Sequence, residues 1–575
     1  MRDSSYSAWN PGIESEIPQA YRELETIYSP GNVYNSIDEV DELARETGLD
    51  PLELISFRPH RLVLHELIVR ITADIVVLEG ENEEDLGINF RNIARKLFGK
   101  YVIPKLMRIE HAYETMRTKL EDIILAELEC SLEQLQNPVS TGKPSFAARL
   151  FKRRKAPDAP AKTRQEREFE LIDSFKQRGL ASEDPLTAAM FRSLYRVLGT
   201  IAANRGFIGN DPDYLKNICV MHACNYLGSQ DIGHKVGLIV QEAIAAEGYE
   251  LIRDADTPIL ISLKGASASG KSSLRPMLSQ MMFDLGVEQH GYGTISPDIW
   301  RRMLLDYDAL GGAYKYAGRF TSHEVNIIDN KLDHYIRAKA EARNSIPHLM
   351  VDRFRFDSFA HEKITNVLHK TYVRHIDTMY MYFIVTPPEA TVERGWERGL
   401  ARGRYKAVDD FLGHCIEAYA GMPKLLFKWL AYDRPKYIYE FLDNSVPKGT
   451  YPELIARGTQ KGMRLYRPRS FVDIERYQRI NVLATGPEQV SADAKLLEVE
   501  HNLGFLRQCI AKIESIDLID EASDSPYLAI RRGSFEVVDP LLFAQNLEDA
   551  SLREIVAVLA PDLLTDYTGI PEESP

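Results

Sequence analysis

Cysteine is scarce in this chain: five residues in 575, an odd number and widely scattered. That excludes a disulfide framework and makes a reducing cytoplasm the expected compartment. No uninterrupted apolar run approaches the roughly 20 residues of a membrane-spanning helix, so no membrane partner is expected. The opening MRDSSYSAWNPG lacks the basic-then-apolar order of a secretory leader. Basic residues are outnumbered, with 70 Lys and Arg against 84 Asp and Glu, a net charge of −14. So acidic a surface argues against a chain-wide nucleic-acid face and leaves open only a local basic groove. No repeat recurs at a fixed period. What remains is an ordinary globular balance, 44% hydrophobic and 27% charged, in a length that suits about three or four domains.

Residues 1–136 read as an N-terminal helical domain. Leu64, Leu67, Ile68 and Ile71 make one helical stripe, and Met116, Leu120, Ile123, Ile124 and Leu128 make another. Residues 137–164 carry Pro138, Pro144, Pro157 and Pro160 among Arg149, Lys152, Arg153, Arg154 and Lys155. This is a basic linker, either a solvated hinge or a contact for phosphate or an acidic partner. Residues 165–252 form a second helical block. From 253 to 450 apolar strands alternate with amphipathic helices, the signature of a parallel sheet covered by helices. Residues 451–575 are an acidic mixed α/β region, in which Tyr527–Ile530 and Phe535–Val538 are spaced as a hairpin.

The chemistry concentrates in the fourth of these regions. Pro258–Leu263 is a short apolar run suited to a central strand. It leads into Gly265-Ala266-Ser267-Ala268-Ser269-Gly270-Lys271-Ser272, a match to G-x-x-x-x-G-K-[ST] followed by Ser273. Small residues let such a loop wrap a phosphate with its backbone N–H groups turned inward, and the helix beginning near Gly270 adds its positive end. Lys271 then reaches the β- and γ-phosphates of ATP or GTP, and the Ser272 hydroxyl ligates Mg²⁺. The structural alternative is a Gly-rich strand-to-helix turn. Pro276 removes one N–H and predicts a kink in the following helix.

A second strand, Gly291–Ile295, precedes Ser296 as N-cap and Pro297 at the first helical position. Asp298 thereby falls in a first turn at a strand end, where ligands of open parallel sheets sit. It is placed to accept a proton from a substrate hydroxyl, or merely to complement the helix dipole. Ser322 opens a further helix. A third strand, Ile346–Val351, ends at Asp352, which resembles a Walker B acid. Arg353 follows where a hydrolytic motor usually has a second acid. A fourth strand, Thr378–Val385, leads into a segment where Arg394, Arg398 and Arg402 recur every four residues, with Arg404 close by. Three interspersed glycines cost a helix about 1 kcal/mol each relative to Ala, so the segment reads as a mobile lid closing arginines over phosphate. The plainer reading is a solvated face pairing Glu393 and Glu397 with those arginines. A fifth strand, Lys436–Leu442, ends at Asp443-Asn444.

Three further groups carry less. Cys219, His222 and Cys224 lack a second pair at zinc-ligand spacing and read as helix packing. Cys415 beside His414 shows no sign of a nucleophile. Arg353 and Arg355 either reach an acceptor phosphate or pair with Asp352 or Asp357.

The Gly265–Ser272 motif, Asp298 followed by Arg301, and the Arg-rich segment together resemble zeta-toxin-type P-loop kinases. That group is related to polynucleotide kinases and chloramphenicol phosphotransferase. The resemblance spans roughly residues 255–445, about a third of the chain. It implies an α/β P-loop NTPase core, a parallel sheet ordered 2-3-1-4-5, that phosphorylates a hydroxyl from ATP or GTP; zeta toxins act on UDP-N-acetyl sugars. By position, Lys271 and Ser272 would bind nucleotide and Mg²⁺, and Asp298 would be the general base. Arg394 with one of Arg398, Arg402 or Arg404 would stabilise the transferring group. The implied acceptor is a small molecule, nucleotide or sugar nucleotide. The alternatives are a nucleotide-dependent switch without an acceptor and a 5′-hydroxyl polynucleotide kinase. Zeta-type kinases are typically restrained by a helical partner. The N-terminal helices are accordingly expected to restrain the core in cis, or to serve as a scaffold or protein-binding module.

Overall fold

The apolar run after Pro258 forms β1 (Ile259–Gly265), whose residues from Leu260 onward are buried. Around it stand β2 (Tyr292–Ile295), β3 (His348–Asp352), β4 (Thr378–Val385) and β5 (Lys436–Asp443). These five are parallel and ordered β2-β3-β1-β4-β5, the order that the resemblance implies. β1 and β4, buried almost throughout, need apolar residues on both faces, which is why they read as near-continuous apolar runs. The structure is a computed structural model that describes residues 6–136, 162–353, 374–447, 449–491 and 493–567. The basic linker lies outside the described residues up to 161, as do Arg355 and Asp357.

The sheet does not stop at β5. It continues through β6 (Glu453–Thr459), β7 (Gly462–Leu465), β8 (Ser515–Asp520), β9 (Ser525–Arg531) and β10 (Ser534–Val537). Ten strands in one sheet result among the described residues. β9 and β10 form the expected hairpin. Aromatic packing explains why residues 451–575 are not a region apart: Phe441 on β5 stacks on Phe383 of β4, at 4.5 Å between centroids, and meets Phe471 at 5.3 Å. Phe471 in turn stacks on Phe505.

Contacts divide the chain into two compact units: residues 1–19, 71–93 and 248–575 with the sheet, and residues 20–70 and 94–247, which are helical. This division crosses the sequence partition at 136, 165–252 and 450. The two helical blocks share one unit because helices such as Ile103–Gln136, Arg164–Ala181, Pro185–Arg205 and Pro212–Ala223 bury common stripes. Leu120, Ile124 and Leu128 are buried as expected. Cys219 and Cys224 sit in this packing, and burial pushes both thiols up to about 12. Segment 71–93 belongs with the sheet instead. Ile75 bridges Leu251, and Asp74 pairs with Lys339 at 2.7 Å.

Among the described residues, no helix is long and apolar enough to cross a membrane.

Candidate active site at the strand ends

The loop after β1 is the centre of the site. Pro276 does not kink a helix: a 3₁₀ turn spans Lys271–Leu274, and the α-helix starts afterwards, at Arg275–Asp284, with Pro276 in its first turn. There the missing N–H costs nothing, and Ser272 O accepts instead from Arg275 N. Leu274, Leu278 and Met282 pin these turns to Ile261, Leu263 and Ile384 of the sheet.

Neighbouring strand ends hold the loop in shape. Ser269 O accepts from Asn444 Nδ2 at 2.7 Å, just past β5, and from Thr386 Oγ1 at 3.1 Å, just past β4. Tyr419 fixes Thr386 in turn, accepting its N–H at 2.8 Å. Gly270 sits at φ +93, where a Cβ would stand 2.1 Å from Asn444 Nδ2, so both conformation and space demand glycine.

Lys271 Nζ donates to Gly265 O and Ala266 O, each at 2.8 Å, within the same loop. Burial pulls its ammonium below the usual lysine range; Asp352 and Asp298 oppose, while Arg398 and Arg404 add. Ser272 Oγ donates to Asp352 Oδ2 at 3.0 Å. The hydroxyl and the carboxylate are hard oxygen donors suited to Mg²⁺. Ser269 Oγ is buried with no hydrogen-bond partner among the described residues. A phosphate-holding loop and its cation therefore fit the residues present.

Pro297–Trp300 is a 3₁₀ turn with Pro297 at its start; Ser296 occupies the N-cap position without a side-chain hydrogen bond. Asp298 is clamped from both sides. Its Oδ1 accepts from Arg301 Nε and its Oδ2 from Arg404 Nη2, each at 2.8 Å. Partial desolvation works to raise this half-exposed carboxyl, but Arg404 and Arg301 prevail and hold it well below the usual range. Arg301 is itself anchored on Gly318 O at 2.6 Å and Thr321 Oγ1 at 2.8 Å.

The Arg-rich segment differs from the expected lid. It is a continuous helix, Pro388–Arg402, closed by Gly403 at φ +68. Its glycines serve close packing: a Cβ at Gly395 would lie 2.0 Å from Phe411 Cζ, and one at Gly399 2.5 Å from Tyr405 Cδ1. Of its own charges, Glu393 accepts from Trp9 Nε1 at 2.7 Å, while Glu397 acts electrostatically on Arg394. Its arginines part company. Arg394 donates to Val446 O at 3.0 Å, beside the loop at Gly270. Arg398 has a buried Nε with no partner among the described residues. Burial and then Arg404 press its guanidinium down to about 9. Arg402 is drawn away by Glu83 at 2.9 Å and Glu84 at 2.7 Å. Arg353 is drawn away too, buried between Asp329 and Asp333, each at 2.9 Å.

Lys406, Thr386 and Glu83 also contact residues of the site without being marked by any motif, and Asn444 does more than end a strand. Lys406 extends the cationic run two residues beyond Arg404, a signal that was there to use; Glu83 comes from a distant segment and offered none. His414, set aside beside Cys415, meets the loop: its Nδ1 is 3.1 Å from Ser267 Oγ. Cys415 points elsewhere, 3.4 Å from Thr391 Oγ1, and burial pushes its thiol up to about 12.

No family model and no curated protein matches this chain. Two solved structures align with part of it, the native AvrRxo1-ORF1:-ORF2 complex and AvrRxo1-ORF1:AvrRxo1-ORF2 with sulphate ions. Each is 14% identical at a TM-score of 0.30, over 45% of this chain and 73% or 74% of the other. At that level the likeness carries no argument about this chain.

Proposed function

We propose that this protein is a phosphotransferase that moves the γ-phosphate of ATP or GTP to a hydroxyl of a small molecule, nucleotide or sugar nucleotide. The observation that carries the reading is a convergence at the ends of parallel strands. Lys271 and Ser272, the latter bonded to Asp352, share one electrostatic neighbourhood with Asp298, Arg398 and Arg404.

Phosphoryl transfer asks a protein for position and charge more than covalent chemistry. Residues Gly265 to Ser273 would hold the phosphates, with Lys271 turning from Gly265 O and Ala266 O to their oxygens. Ser272 and Asp352 would hold Mg²⁺, which when bound neutralises phosphate charge. Asp298 would accept a hydrogen bond from the acceptor hydroxyl and orient it. A carboxylate held this low is a weak base, which suits a loose transition state in which the hydroxyl yields its proton late. Arg404 and Arg398 would offset charge on the transferring group, and Arg394 would steady the loop at Gly270.

The test is incubation with γ-labelled ATP or GTP and a metabolite extract. Label should appear in a small molecule and vanish with Lys271→Ala. Release of free phosphate alone would favour a nucleotide switch. Transfer that persists in Lys271→Ala would remove the site.

A further inference from the structure

One cation touches the Gly265–Ser272 loop without a part in the reading above. Lys406 Nζ lies 3.1 Å from Ser267 Oγ, 2.6 Å from His414 Nδ1 and 3.2 Å from His414 Nε2. Lysine, serine and imidazole thus form a closed triangle on the loop. We propose that Lys406, held against Ser267 by His414, is a second cation of this loop and takes up a proton when a nucleoside triphosphate binds. The inference rests on the nucleotide reading and deepens it.

The surroundings explain why a proton is at issue. His414 is kept neutral: burial and then Lys406 drive its imidazole far down. The triangle therefore carries one positive charge at most, on Lys406. Among the described residues Asp410 and Asp298 face Lys406, and both share their charge elsewhere. Asp410 accepts from Arg319 at 2.6 Å, and Asp298 is clamped by Arg301 and Arg404. Arg398 and Arg404 face it with like charge, and the Phe411 ring lies 5.8 Å from Nζ. Burial, reinforced by those arginines, brings the ammonium down to about 7. Near neutral pH the side chain is divided between its two forms. A polyanion in the loop reverses the local balance, and solvent supplies the proton that turns the amine into an ammonium.

The sign follows from linkage. Binding that raises the Lys406 pKa is strongest below the unliganded value and weakens as pH rises above it. With an unliganded value of about 7, affinity should fall about tenfold between about pH 7 and pH 8.5. Near pH 8, uptake should approach about one proton per site.

The experiment is calorimetric titration of the full chain with the β,γ-imido analogues of ATP and GTP, in Tris and in HEPES. Buffers of different ionisation heat report proton uptake directly. The expected result is near-stoichiometric uptake near pH 8 that disappears in Lys406→Met, together with the pH dependence of affinity. If Lys406→Met does not fold, Lys406→Arg replaces it: permanently charged, it should bind without uptake and with a flat profile. Wild-type binding with no uptake overturns the proposal and leaves the nucleotide reading standing. Uptake that persists in either folded variant also overturns it. Failure of wild type to bind either analogue overturns both.

Discussion

Arg404 Nη2 donates to Asp298 Oδ2 at 2.8 Å across 106 residues of sequence. The pair joins the end of the second strand to the end of the arginine-bearing helix, so the group that would orient an acceptor and a group that would offset phosphate charge are one unit. Because both its oxygens are clamped, Asp298 is held in one orientation before any substrate arrives.

That clamp fixes a pH dependence. The folded carboxyl lies well below its ordinary value, so its contribution to stability is present above about pH 4 and is lost as pH falls through the lower folded value. Transfer should show no acid limb from Asp298 between about pH 5 and pH 7. Asp298→Asn should fold and lose about 10²–10⁴ in rate. A pH–rate profile with a limb near pH 6 that vanishes in Asp298→Asn would contradict the depressed carboxyl, and an unchanged rate in Asp298→Asn would contradict its role in transfer.

The arginines should separate cleanly on substitution. Arg404→Ala should lower transfer about 10²-fold or more, the scale of removing one transition-state donor. Arg402→Ala, which removes the ion pairs to Glu83 and Glu84, should leave the rate within a few-fold. Single-turnover rates under saturating nucleotide make the comparison.

Gly395→Ala tests packing against mobility. A glycine kept for flexibility gives about 1 kcal/mol of stability on replacement by alanine in a helix. Here the new Cβ meets Phe411, and overpacking should cost about 1–3 kcal/mol. The melting temperature should therefore fall, not rise.

Arg353→Ala should destabilise the sheet unit strongly without touching the transfer chemistry directly. Removing the guanidinium leaves Asp329 and Asp333 facing each other in a poorly hydrated site. Breaking a buried pair in this way costs about 3–5 kcal/mol. Denaturant unfolding followed by the sheet unit's aromatic fluorescence measures it.

Local signals carried much of this molecule. The five parallel strands fell within a few residues of their apolar runs, because strands buried on both faces declare themselves by composition. The Gly265–Ser272 loop and Asp298 were marked by chain neighbours alone. Sites built from distant segments were not legible. Nothing near Glu83 or Glu84 shows that they hold Arg402, and nothing in residues 71–93 shows that they join a sheet beginning at Ile259. The glycines of the Pro388–Arg402 helix look alike whether they serve motion or contact. Only Phe411 and Tyr405 against them decide it. Deleting residues 1–160 to probe restraint by the N-terminal helices would also delete Glu79, which accepts from Thr294 Oγ1 at 2.6 Å. Such a truncation would report damage as well as release.

The antiparallel pairing of β5 with β6, from Ile438 opposite Thr459 to Asp443 opposite Glu453, decides how this chain can be taken apart. A fragment ending near residue 450 would turn an interior strand into an exposed edge and bare Phe441, whose partners Phe471 and Phe505 would be gone. Unprotected edges with apolar side chains recruit other strands. The shortest well-behaved fragment that carries the site is therefore set by where backbone hydrogen bonding closes, well beyond the last residue of the site.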